Sequence, residues 1–206
     1  MSLFERFPVL RECETDLRAA LDVLGAAYAA GNKLLVCGNG GSAADSEHMV
    51  GELMKGFLKP RPLPAVDVSS LTSADPTRGP ALAAKLQGAL AAIALPSQIS
   101  ISTAVANDLD VEMIFAQQVY GLGRRGDVLF CLSTSGNSRN VVNAAVVARA
   151  FGLKAIALTG RGGGALAPLC DVAIRVPADR VDEIQELHLP VYHWLCIELE
   201  ERFFGI

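Results

Sequence analysis

The stretch Val128-Leu129-Phe130-Cys131-Leu132-Ser133-Thr134-Ser135-Gly136-Asn137-Ser138 runs from an unbroken apolar segment into a hydroxyl-rich loop. Five consecutive apolar residues, bounded by a turn signal, read as a strand buried on both faces. The segment after Ser138, to about Phe151, reads as a helix. An earlier copy of this arrangement precedes it. Leu34-Leu35-Val36 leads into Cys37-Gly38-Asn39-Gly40-Gly41-Ser42, and a helix follows from about Ser42 to Phe57. Strand, small-residue loop and helix, twice over, predict an α/β protein with a parallel sheet.

Working outward, three further strands are predicted at Leu90–Leu95, Lys154–Thr159 and Val172–Val176. An amphipathic helix is predicted over about 10–30, where Leu10, Leu17, Leu21, Leu24 and Tyr28 recur at helical spacing. Shorter helices fit about 81–87 and 111–122, a helical turn fits 166–169, and a long helix fits Val181 to Phe204. The stretch 58–80 carries Pro60, Pro62, Pro64, Pro76 and Pro80, and reads as a loop with short ordered pieces. The expectation is one domain over 1–206: a three-layer sandwich with a five-stranded parallel sheet, long terminal helices and a Pro-rich insertion near 58–80. In such sheets ligands bind beyond the carboxyl ends of the strands, where both loops lie.

Composition narrows the function. A net charge of −4 argues against direct nucleic-acid binding, which usually shows a basic footprint. No apolar run approaches the ~20 residues of a membrane span. The N-terminal sequence lacks signal-peptide anatomy. Five scattered cysteines without a CxxC pattern read as reduced core thiols, so a cytoplasmic location is expected.

The two loops point to an anionic, polyhydroxylated ligand. Ser133, Thr134, Ser135 and Ser138 offer four hydroxyls at a helix start, where free N–H groups and the dipole favour an anion. A serine N-cap on an ordinary turn is the competing account. The first loop has neither the Lys-Ser/Thr of a Walker loop nor the third glycine of a dinucleotide fingerprint. A sugar phosphate therefore suits the loops better than a nucleotide.

Three histidines exist, His48, His188 and His193. His48 and Glu52 share a helix face at i,i+4, which equally describes a solvated surface pair. Gln185 and His193 are eight apart, about 12 Å along an ideal helix axis. Pro190 lies between them and could bend the helix. His188 faces elsewhere and reads as structural.

Gly38–Ser42, Ser133–Ser138 and Gln185-Glu186-Leu187-His188 together resemble the sugar isomerase (SIS) domain. Within it they are similar to bacterial phosphoheptose isomerases and the related DnaA initiator-associating proteins, over about 38–193. The resemblance implies a flavodoxin-like fold, a homotetramer with active sites between subunits, and interconversion of sedoheptulose 7-phosphate and D-glycero-D-manno-heptose 7-phosphate. It implies a phosphate cradle of Ser133, Thr134, Ser135 and Ser138. It sets Asn39, Gly40, Gly41, Ser42, Asn107, Asp108, Asp182 and Gln185 around the sugar. It makes Glu52 and His193 the acid–base pair, and His48, Glu52, Gln185 and His193 the ligands of a zinc ion where one is bound. The alternative is a non-catalytic phosphosugar-sensing regulator, or an adaptor binding a DnaA-type initiator. The four polar positions favour the enzyme.

Overall fold

The computed structural model describes residues 2–205; Met1 and Ile206, the ends of the expected domain, lie outside the described residues. The strands are β1 (Leu34–Cys37), β2 (Ala92–Ala94), β3 (Val128–Leu132), β4 (Lys154–Thr159) and β5 (Val172–Arg175). All pair in parallel, in the order β2-β1-β3-β4-β5. The chain leaves β1 for the β2 edge and then returns across to β3. The β1/β3 pair is therefore the topological switch point, and a ligand crevice is expected at its carboxyl end.

Alternation along the strands divides the core into two layers. Leu34, Val36, Val128, Phe130 and Leu132 face one side, packed with residues of α2 (Glu14–Ala29), α3 (Gly41–Met54) and α9 (Val181–Phe204). Leu35, Cys37, Leu129 and Cys131 face the other, against α7 (Ile114–Leu122) and α8 (Arg139–Ala150). Leu34, Leu35 and Leu129 are fully buried; each such side chain contributes about 1.5–3 kcal/mol relative to exposure. The layers are helix, sheet, helix, as the apolar strands require.

Several elements depart from the sequence reading. The second strand shrinks to three residues. The N-terminal helix begins at Glu14, after a short α1 (Leu3–Arg6) and a 3-10 turn over Pro8–Cys13. The Pro-rich stretch holds a ten-residue helix, α4 (Ala65–Ala74), where a loop with short ordered pieces was expected, and the helix expected near 81–87 forms earlier, as α5 (Gly79–Ala83). Pro64 occupies the N-cap of α4 and Pro80 lies in the first turn of α5, positions where a missing N–H costs nothing. Those prolines start helices rather than break them. The polar, helix-prone region leading to Asn107 and Asp108 does form a helix, α6 (Ile99–Asp108).

Pro190 removes an N–H that would bond the Glu186 carbonyl. The helix nevertheless runs unbroken from Val181 to Phe204, with Ile184, His188, Val191, Leu195 and Leu199 buried along it. Packing outweighs the lost hydrogen bond.

Candidate active site

The second loop is bent back tightly at its carboxyl end. Gly136 has φ 66°, and a β-carbon there would meet the Gly163 carbonyl oxygen at 2.1 Å. Only glycine lets this loop lie against the Gly160–Gly164 turn. Ser138 occupies the N-cap position of α8 but makes no side-chain capping bond. Its hydroxyl instead lies 3.2 Å from that of Ser133. The two hydroxyls turn toward each other at the start of α8, so the simple N-cap account of Ser138 fails. Ser135 takes the Asn137 N–H on its hydroxyl at 3.1 Å. The Thr134 carbonyl accepts the Gly160 N–H at 3.0 Å.

Helix α9 touches both loops through its first turn. A β-carbon on Gly160, whose N–H meets Thr134, would lie 2.4 Å from Cδ1 of Ile184. A β-carbon on Gly41 would lie 2.7 Å from Nε2 of Gln185. Gln185 thus lies directly on the backbone of the first loop.

Two turns further along α9, His193 meets α3. Its Nε2 lies 3.5 Å from Nε2 of His48, and that atom is 3.3 Å from Oε1 of Glu52. The His48 and His193 rings stand edge to face, with centroids 4.9 Å apart. Tyr192 extends the cluster. Its hydroxyl donates to Oδ1 of Asp45 at 3.1 Å and lies 3.0 Å from Nδ1 of His48. The Tyr192 hydroxyl thus stands between Asp45 and Nδ1 of His48, and Nε2 of the same ring faces Glu52 and His193.

The electrostatics follow from burial and neighbours. Burial draws the His193 imidazole below its ordinary value, and His48 and Arg6 push the same way against Glu52. His193 is therefore a neutral base near pH 7. Burial raises the Asp45 carboxyl, partly offset by the Tyr192 hydrogen bond. The Tyr192 hydroxyl is raised too, by burial and then by Asp45, so it stays protonated as a donor.

The structure brings three of the expected groups, His48, Glu52 and His193, to one point, while Gln185 lies apart from them against the first loop. Ser42 is buried in the first turn of α3, with its carbonyl accepting the Ser46 hydroxyl at 2.7 Å. Asn39 exchanges side-chain hydrogen bonds with Asn140 at 2.9 Å, tying the first loop to α8. Asn107 and Asp108 are exposed at the end of α6 and bond to each other at 2.8 Å. Asp182 pairs with Arg180, at 2.6 Å, in the exposed first turn of α9. Within this chain these last three stand apart from the His48 cluster. Asp45, Tyr192, Phe57 and Asn140 were missed by sequence reasoning. Asp45, His48 and Glu52 recur at i, i+3 and i+7, a one-face pattern that would have flagged Asp45.

For a metal the donors fit in part. Tetrahedral ligands ~2.0–2.1 Å from zinc stand about 3.3 Å from each other. The His48–Glu52 and His48–His193 separations match that spacing. Acceptors this close also repel unless a proton or cation lies among them. Among the described residues, however, no three His, Cys, Asp or Glu side chains close into a complete metal-holding group.

Hydroxyls at the β1/β3 switch point and a half-exposed cluster of His48, Glu52 and His193 agree with what comparison shows. The SIS domain model matches residues 6–85 and 79–160. The fold and site together define a phosphosugar isomerase of the SIS class. Phosphoheptose isomerase of Akkermansia muciniphila is 38% identical over 205 residues, covering 100% of this chain and 95% of that protein. The Rhodospirillum rubrum phosphoheptose isomerase is 41% identical over 193 residues, covering 93% and 88%. Phosphoheptose isomerase GmhA from Neisseria gonorrhoeae superposes with a TM-score of 0.72 at 33% identity, covering 95% and 93%. A phosphoheptose isomerase from Francisella tularensis gives 0.78 at 30%, covering 95% and 91%. The chain belongs to the phosphoheptose isomerase family.

Among the described residues no helix is long and apolar enough to cross a membrane.

Proposed function

We propose that this isomerase interconverts sedoheptulose 7-phosphate and D-glycero-D-manno-heptose 7-phosphate through an enediol. The observation that carries the reading is the meeting of His193 from α9 with His48 and Glu52 from α3, at 3.5 Å and 3.3 Å. The Ser133–Ser138 hydroxyls and the start of α8 would take the phosphate. Gln185 against Gly41 would hold the sugar between the cradle and the acid–base cluster. Glu52 and His193 divide the proton transfers. One removes a proton from C1 of the ketose while the C2 oxygen gains one, giving the enediol. The C1 hydroxyl then loses its proton, C2 is protonated, and the aldose forms. The Asp45–Tyr192–His48 chain orients the His48 ring beside them.

The reading extends to a zinc ion held by His48, Glu52, Gln185 and His193, which when bound polarises the substrate carbonyl. It also extends to a homotetramer with sites between subunits. Supporting this are the apolar Ile99, Ile101, Leu109, Val111 and Tyr120, exposed on α6 and the segments after it. All five cysteines are free thiols, which suits a cytoplasmic setting.

The test is incubation of purified protein with sedoheptulose 7-phosphate, with and without zinc or a chelator, and detection of the aldoheptose phosphate. Turnover should fall by about 10²–10⁴ in Glu52→Gln and in His193→Ala. Absence of turnover under every metal condition would overturn the reaction. Full activity after complete metal removal would take zinc out of the scheme.

A further inference from the structure

Below the acid–base cluster lies an ion pair that the chemistry above does not use. Arg61 is fully buried and Glu200 is 1% exposed, joined from Nε to Oε1 at 2.8 Å. Charged side chains are rarely buried this completely. Replacing such a pair by well-packed apolar residues often leaves stability unchanged or improved. Stability alone is therefore a poor reason for it.

Its hydrogen bonds point to a different role. Helix α3 ends at Met54, and Lys55 leaves in an extended conformation with no backbone cap bond. The last carbonyls of a helix need partners, and Arg61 supplies them from beyond the turn. Its Nη1 donates to the Leu53 carbonyl at 2.7 Å, and its Nη2 to the Glu52 carbonyl at 3.0 Å. The guanidinium stacks over the Phe204 ring at 4.7 Å. A lysine has no planar fork to reach these acceptors together. Glu200 gathers the turn from the other side, accepting the N–H groups of Phe57, Leu58 and Lys59 at 2.7, 2.8 and 3.2 Å. Phe57, held in this way, sets its ring 5.3 Å from that of His193. Glu200 and His193 are seven residues apart on α9, two turns less about 20°, so they share a face.

We propose that the Arg61–Glu200 pair is a positioning device, fixing Glu52 through its carbonyl and His193 through the Phe57 ring. The role rests on the assignment of Glu52 and His193 as the proton-transfer pair. Burial raises the Glu200 carboxyl, but the Phe57 and Leu58 N–H groups and Arg61 outweigh it and hold it low. The Glu200 carboxylate thus stays charged through the working pH range. It couples the end of α3 to the middle of α9, the two elements whose crossing makes the site.

The test uses the full chain in two variants, Glu200→Gln and the apolar replacement Arg61→Met/Glu200→Leu. Two readouts are made on each: steady-state kinetics with sedoheptulose 7-phosphate, and the NMR signals of the His193 imidazole, which sense the Phe57 ring. The expected result in folded protein is a loss of about tenfold or more in kcat, with KM within about twofold. The His193 signals should move while those of buried His188 stay. A folded variant with wild-type kcat, or with unmoved His193 signals, overturns the proposal. If the double variant does not fold, Glu200→Gln decides on the same criteria. If the wild-type protein gives no turnover, the isomerase reading fails by itself, and the His193 signals still decide whether the clamp positions that ring.

Discussion

Replacement of Gly41 by alanine places one methyl group between α3 and the tip of Gln185. Gly41 is the first residue of α3 and is not among the glycines with positive φ, so alanine can adopt its backbone. In a helix interior alanine is favoured over glycine by about 0.5–1 kcal/mol, and somewhat less at a first turn. Against that gain, the new β-carbon would lie 2.7 Å from Nε2 of Gln185 and 3.3 Å from Cδ. Reaching ordinary contact at 3.4 Å requires the amide to retreat by about 0.7 Å, a rotamer distortion of roughly 0.5–1.5 kcal/mol. The two terms nearly cancel, so thermal unfolding should shift by no more than a few degrees. Catalysis has no such compensation. A displacement near 1 Å costs about 10²-fold where geometry is critical, so kcat/KM should fall by about 10–100-fold. Initial rates with sedoheptulose 7-phosphate beside a thermal melt make the measurement. A folded Gly41→Ala protein with wild-type kcat/KM would refute the reasoning, because Gln185 would then not need its contact with the first loop.

Ser138→Ala removes the hydroxyl facing Ser133 without removing a helix cap. It should raise KM for the phosphorylated substrate by about tenfold, from ~1.5 kcal/mol for a hydrogen bond to a charged group; an unchanged KM would remove Ser138 from the cradle. His188→Leu tests a buried imidazole outside the chemistry. Burial draws the His188 pKa from 6.5 to about 4, with the Thr159 backbone opposing. Between those values the unfolded chain binds a proton that the native protein does not. Native stability is therefore complete above pH 6.5 and declines as pH falls toward 4, by up to ~3 kcal/mol. In His188→Leu, urea unfolding from pH 6.5 to 4 should lose that share of its slope; an unaltered slope would show that His188 does not carry it.

Continuous apolar runs made the sheet legible, because a parallel strand covered on both faces needs no alternation of polar residues. Lys154–Thr159 and Val181–Phe204 have the same limits in the structure as in the sequence reading. Where burial does not drive the element, the sequence is silent. Helix α4 has no buried residue, so no apolar stripe marks it, and its flanking prolines read as breakers although they open helices. The Leu90–Leu95 run is apolar throughout, yet pairs only over Ala92–Ala94 because Leu95 and Pro96 turn into a 3-10 segment.

The loops were legible in the residues themselves, whereas the meeting of His48 and Glu52 with His193 was implied only by the family resemblance, for a topological reason. Hydroxyls, a glycine and a helix start lie within six residues at Ser133–Ser138, so their joint chemistry can be read in line. His48 and His193 are 145 positions apart, and only the crossing of α3 with α9 makes them neighbours. Periodicity places Asp45, His48 and Glu52 on one face but cannot say what that face meets. Tyr192 shows the consequence. It occupies a buried position on α9 where an aromatic ring reads as core, and nothing local marks its hydroxyl as the bridge from Asp45 to His48. The same crossing is locked two turns on, where Glu200 and Arg61 join α9 to the end of α3. On the proposed chemistry proton transfer then depends on the angle between two helices, and substitutions at that lock should alter rate before they alter substrate binding.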